Sequence, residues 1–381
     1  MIDDSIVEVY EENRATGVEA ETEDDSTDVI QPWDANKIRV DPKMFSLRQV
    51  LEMIQEGELD LAPDFQRQNV WKPRQKCRLI ESIFLRIPLP AFYFSSSKDG
   101  LLQVVDGVQR LSAIRDFAKD DGYELQDLEF LNDELRGKRF SDLHGTQWMR
   151  RFNLTQVMAH VIDPQTPDRV KFDIFKRINT GGNPLNAQEI RHCMSGKRSR
   201  SFLKECTQLQ SFITATNGVL AKNVRMVDRE VVLRFCAFRD MGADKYFEYA
   251  TMDDFLMTET VRIDNELSSA QVTKLLHDFE QAMVNSYALF GDHAFRKWPI
   301  YSDKVNPFNK ALFEAWSVAL ADYSTGDLLP RRDQIVNAAR SMMTDNPDFI
   351  SAISASTGDP YRVTFRFTVV DYLLRGELDA I

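Results

Sequence analysis

The sequence predicts an α+β protein in three parts: an acidic disordered arm at 1–34, a mixed α/β domain at 35–195 and an all-helical domain at 196–381. Three observations carry this. Residues 1–25 hold ten acids against Arg14 alone, which is most of the chain's net charge of -12. Strand-like and helix-like patterns alternate from 46 to about 195. Beyond about 199 apolar residues recur almost entirely at helical spacing, as in "DREVVLRFCAFRDM" and "QVTKLLHDFEQAMVNSYALF".

The acidic leader has too little apolar surface to offset its ordering entropy, so it reads as a mobile arm. "SLRQVLEMIQE" is a helix with Ser46 as N-cap. "LAPDFQRQNVW" is an extended connection, and "KPRQKCRLIESIFLRIP" is a helix that tolerates Pro73 in its first turn. "AFYFSSS" and "LLQVVD" are strands joined by a turn at 98–100, and a helix follows over 108–118. Residues 119–153 are a polar, mixed insertion. "LTQVMAHVID" is a strand and "TPDRVKFDIFKRIN" a helix capped by Thr166. "NAQEIRHCMSG" restarts a helix with Asn186 as N-cap and Glu189 three residues on, a capping-box spacing.

The composition, 43% hydrophobic and 28% charged, is that of a soluble globular chain. No apolar run approaches the roughly 20 residues that cross a bilayer, and no signal-peptide pattern opens the chain. Cys77, Cys193, Cys206 and Cys236 are far apart and show no C-x-x-C spacing, which argues against a disulfide or zinc framework and for a cytoplasmic setting. No H-E-x-x-H, Walker-type or G-x-S-x-G motif is present.

Four stretches are candidates for chemistry. At Asp106-Gly107-Val108-Gln109-Arg110 a strand hands over to a helix start, whose free N–H groups and dipole suit an anion. Gly107 allows close approach of a phosphate, Arg110 can fork onto its oxygens, and Asp106 can hold Mg2+ or accept a proton. The plainer reading is a corner capped by Asp106, with Arg110 in an ion pair. In "DFQRQNVWKPRQKCR", Arg67 and Trp71 suit a phosphate and a base, or Trp71 anchors a core under a solvated basic face. Asn179, Thr180, Gly181 and Gly182 can wrap an anion in a backbone nest, or simply end a helix. Arg191, Lys197, Arg198 and Arg200 lie in an acid-free run that suits DNA phosphates, or a solvent-facing linker.

Taken in order, "PDFQRQNVWKPRQKCRLIESIFLRIPLPAFYF", "VVDGVQRLSAI" and "FKRINTGGNPLNAQEIR" resemble the N-terminal domain of the GmrSD-type restriction proteins, of ParB/sulfiredoxin-like fold, over roughly residues 40–195. The resemblance implies a nucleotide-binding, NTP-hydrolysing domain of bacterial anti-phage defence. It sets Asp106, Gly107, Gln109 and Arg110 at the phosphates, with Arg67 in a preceding Q-R element and Asn179 in a third. Val108 stands where the family's DGQQR motif has a first glutamine. No paired His and Asn with the spacing of an HNH nuclease half occurs between 196 and 381. The expected partners are therefore a nucleoside triphosphate with Mg2+, DNA, and a partner nuclease or a second copy of the chain. A non-catalytic sensing module and a DNA-nicking nuclease are the competing readings.

Overall fold

In a computed structural model the described residues are 6–11, 14–21, 38–61, 71–97, 99–119, 121–178, 185–222 and 225–376. Strands β1 (Glu8–Glu11) and β2 (Arg14–Glu19) come first, then β3 (Val40–Ser46), α1 (Leu47–Glu56), β4 (Leu59–Asp60), α2 (Pro73–Phe84), β5 (Phe92–Ser96) and β6 (Leu102–Asp106). Next are α3 (Val108–Ala118), α4 (Asn132–Leu135), α5 (Gln147–Leu154), β7 (Gln156–Ile162), α6 (Asp168–Ile178) and α7 (Ala187–Met194). The rest is helical: α8 (Lys197–Gln208), α9 (Gln210–Ala215), α10 (Val227–Met241), α11 (Met252–Asn265), α12 (Ser269–Phe290), α13 (Lys310–Leu320), α14 (Thr325–Leu328), α15 (Arg332–Asp345), α16 (Pro347–Ala352) and α17 (Pro360–Arg375). The chain is thus α+β, and it divides into one unit at 32–194 and another that joins 1–31 to 195–381.

The first unit is built on a five-stranded mixed sheet in the order β3-β7-β5-β6-β4. β7 alternates, burying Val157, Ala159 and Val161, while Phe92 and Phe94 of its parallel neighbour β5 are buried beside them. β3 pairs with β7 along its whole length, from Val40↔Ile162 to Ser46↔Gln156. Ser46 then starts α1 as the N-cap its sequence predicts, and the structure adds a capping box with Gln49. α2 carries Pro73 in its first turn and packs on α3 and α5. The residues at 119–153 are more than a polar insertion. They supply Phe140 and Phe152, whose rings meet Phe117 at 5.6 and 6.1 Å between centroids.

In the second unit the expectation of a disordered arm fails for the residues described. β1 and β2 form an antiparallel hairpin, and Val18 is buried in the helical core, bridging to Phe308. The physical reason is that the leader's acids are neutralised far along the chain. Glu19 accepts from Lys297 at 2.5 Å, and Glu21 accepts from Arg234 at 2.9 Å and Lys310 at 3.0 Å. Residues 22–34 lie outside the described residues.

Candidate functional site

β6 ends at Asp106, and the corner to α3 turns on Gly107, the N-cap, at φ 98°. This left-handed value disfavours any side chain. Space forbids one as well, since a Cβ on Gly107 would lie 2.2 Å from Phe92 Cδ1. What approaches Gly107 closely is therefore the Phe92 ring. Asp106 does not cap the helix, which has no side-chain cap. Its Oδ2 instead accepts from Arg110 Nη2 at 2.9 Å.

Arg110 is committed on all sides. Its Nη1 donates to the Pro90 carbonyl, its Nη2 donates to Ala91 O at 3.1 Å, and its guanidinium carbon lies 4.3 Å from the Phe92 ring centroid. Burial pulls its pKa down and Asp106 pushes back. Arg110 thus pins the entry of β5 to the end of β6, and its fork is not presented to a ligand. The sequence reading has Arg110 forking onto phosphate oxygens; here its fork meets backbone carbonyls and Asp106. What the corner still offers is the second oxygen of Asp106, whose side chain is 37% exposed, and the half-buried Gln109 amide, which meets no partner among the described residues. The N–H groups of residues 108–110 at the start of α3 add to these. Val108 is buried at 8% exposure, so the motif's altered position faces packing rather than solvent.

The flanks of the other motifs converge on this strand. β4 pairs with β6 in parallel, Leu59↔Leu102 and Asp60↔Gln103, so the chain leaves β4 toward the Asp106 end. Arg67 follows, outside the described residues. α6 and α7 both pack against β6. Asn179, Thr180, Gly181 and Gly182, between them, also lie outside the described residues. The capping box expected at the head of α7 is present, with Glu189 N donating to Asn186 Oδ1 at 2.8 Å and Asn186 N donating to Glu189 Oε2 at 2.7 Å.

Two residues beside the corner escape a linear reading. Tyr93 is in register with both Asp106 and His160, and the Tyr93 and His160 rings stack at 5.0 Å and 28°. Only the alternation of β5 and β7, combined with their pairing, brings these rings together; His160 alone is one scattered histidine.

The basic run divides. Arg191 is buried at 2% exposure, its Nε donating to Gln188 Oε1 at 2.9 Å, and Arg200 is buried at 6%. As placed here, neither guanidinium faces solvent as a DNA contact would. Lys197 is exposed and Arg198 half-buried, which helical spacing along α8 accounts for. For Mg2+, no group of three or more His, Cys, Asp or Glu stands together among the described residues. The donor set fits the ion only where phosphate oxygens supply most of its ligands, with one carboxylate oxygen from Asp106.

Residues 47–194 match the family model of the GmrSD restriction endonuclease, N-terminal domain. This segment is a GmrSD-type N-terminal domain. It holds β4 to β7 and α1 to α7, and so the whole corner. The match points to a restriction-type defence protein. No curated protein and no solved structure matches the chain. No helix among the described residues is long and apolar enough to cross a membrane.

Proposed function

We propose that the GmrSD-type domain binds and hydrolyses a nucleoside triphosphate at the β6–α3 corner, as the nucleotide-responsive part of a restriction system that acts on DNA. The observation that carries this is that β6, which ends in the Asp106–Arg110 corner, has β4 paired beside it and helices α6 and α7 packed against it. The helix-start N–H groups receive phosphate oxygens. Asp106 would hold the Mg2+ that accompanies a triphosphate, which would supply charge stabilisation there, and the Gln109 amide would orient the attacking water. Arg110 acts as a positioning residue through Asp106 and Phe92. Lys197 and Arg198 are the DNA phosphate contacts that remain, and strand cutting falls to a partner nuclease.

Asp106→Asn tests this. Asparagine keeps an acceptor for Arg110, and Gly107 rather than residue 106 caps the helix, so the fold survives. With each triphosphate, Mg2+ and DNA present, steady-state phosphate release should fall roughly 100-fold or more, as for loss of a group that acts on the reacting atoms. Nucleotide affinity should change little. Equal rates in the two proteins would reject Asp106 as a catalytic group. The buried Val108 and the committed Arg110 fork favour one second reading, a sensing module that binds nucleotide without turnover. Absence of phosphate release from the wild type, with binding retained, would select it.

A further inference from the structure

A cavity of about 690 Å3 opens at the start of α2, lined among others by Trp71, Lys72, Arg74, Lys76, Tyr123 and Arg139. It is separate from the corner. Lys76 faces Asp116 at 3.8 Å, and Asp116 lies eight residues along α3 from Val108, roughly 12 Å at helical rise.

Its walls are fixed. Tyr123 Oη donates to Ala113 O at 3.0 Å, and Arg139 Nη1 donates to Gly122 O at 2.9 Å. Cys77 Sγ donates to Glu124 O at 3.6 Å. Four cations line it against two acids, Glu124 and Asp127. Arg139 pairs with Glu124 at 2.9 Å, whereas Lys72 and Arg74 are exposed and pair with no described residue. Uncompensated cations beside aromatic rings are the donor set for phosphate plus a base, and Lys76 Nζ already stands 6.0 Å from the Tyr123 ring centroid. The volume falls within the range of about 300–1,000 Å3 found for pockets of small ligands.

We propose that this cavity is a second nucleotide site, with the base held by Trp71 and Tyr123 and the phosphate by Lys72, Arg74 and Lys76. The shared chemistry is one phosphorylated nucleoside, from a free nucleotide or from an unpaired nucleotide of a DNA strand.

Charge reversal at the two exposed cations, Lys72→Glu with Arg74→Glu, tests it in the full chain. An unchanged circular-dichroism melt would show that the fold is intact. ATP and a fluorescein-labelled ten-nucleotide oligo(dT) are titrated into wild type, the reversal variant and Gln109→Ala. Ten-fold or greater weakening of an ATP-binding component by the reversal, with that component intact in Gln109→Ala, assigns the cavity to free nucleotide. Ten-fold weakening of oligo(dT) alone assigns it to an unpaired strand. Either supports the proposal. Affinities for both probes unchanged by the reversal overturn it. So does a wild type that binds neither probe, an outcome that also removes the corner reading. ATP binding weakened by Gln109→Ala alone overturns the cavity and leaves the corner standing.

Discussion

The largest buried ion network and the candidate binding groups lie in different units. In the helical unit charges are hidden and paired: Glu314, 0% exposed, accepts from Arg234 at 2.5 Å and from the fully buried Arg366. Arg234 also reaches Glu21 at 2.9 Å and Glu230 at 2.7 Å. In the mixed unit the buried charges are single and satisfied locally, as Glu81 is by the N–H groups of 129–131, while Gln109 at the β6–α3 corner and Lys72 and Arg74 at the α2 cavity meet no described partner. Buried, satisfied ions report on what holds a fold together; half-exposed, unsatisfied ones report on what it binds. Substitutions should divide along the same line.

The largest effect is expected at Arg234→Met. It strands Glu21, Glu230 and Glu314 with fewer cations in a buried setting. Breaking such a pair from one side costs about 3–5 kcal/mol, to be read from urea unfolding. Burial raises the Glu21 pKa, but Arg234 and Lys310 outweigh it and hold the carboxyl well below its ordinary 4.5. Its stabilisation is therefore present above the ordinary pKa and is lost as pH falls below it. The wild type should weaken in acid more steeply than Arg234→Met. A loss under about 1 kcal/mol, or parallel acid profiles, would mean that the network does not hold the hairpin in place.

Gly107→Ala comes next. A left-handed non-glycine residue costs about 1–2 kcal/mol and overpacking about 1–3 kcal/mol, so the mixed unit should lose roughly 2–5 kcal/mol in all. Hydrogen exchange should show the loss in residues 40–194 while 225–376 keep their protection. Uniform loss over both units would break the comparison.

How far these features can be read from the sequence depends on how local their causes are. The N-cap at Ser46, the capping box at Asn186, the α2 start at Pro73 and the β5–β6 strands follow from residues within a few positions, and the structure has them. β3 is not legible, because its residues, "VDPKMFS", become a strand only through pairing with β7 more than a hundred positions later. The acidic leader misleads for the same reason: Glu19 and Glu21 look unpaired until Lys297, Arg234 and Lys310 are brought to them. At the corner the residue types are legible but Arg110's role is not, since its partners, the Pro90 and Ala91 carbonyls, carry no side-chain signature.

A middle-sized effect tests the hidden charges where pairing is incomplete. Glu259 is fully buried; burial first, and then the nearby Asp240, push its pKa up to about 9. Between its ordinary 4.5 and about 9 the folded protein keeps a proton that the unfolded chain has released. Stability therefore falls as pH rises through that window. Glu259→Gln removes this dependence and keeps an N–H donor for Asp240. At pH 8 it should be more stable than wild type by about 1 kcal/mol or more, since a tenfold difference in proton affinity between the folded and unfolded chain corresponds to about 1.4 kcal/mol. Melting curves at pH 5 and pH 8 decide it: the variant's advantage must grow with pH.

The smallest effect is the most discriminating for function. Gln109 sits next to the pinned Arg110, on the same helix start, yet makes no hydrogen bond to a described residue. If the mixed unit's unsatisfied polar groups serve a ligand, Gln109→Ala should leave the melting temperature unchanged and weaken triphosphate binding by about 0.5–1.5 kcal/mol, the net worth of one hydrogen bond. That is a loss of roughly two- to ten-fold in affinity. Arg110→Ala should differ in kind. It breaks the contacts to Pro90, Ala91 and Asp106, so binding and stability should fall together. Calorimetric titration beside thermal melts separates the two. A Gln109→Ala protein that is destabilised would make the amide part of the fold, and one that both binds and hydrolyses triphosphate as the wild type does would remove it from the site.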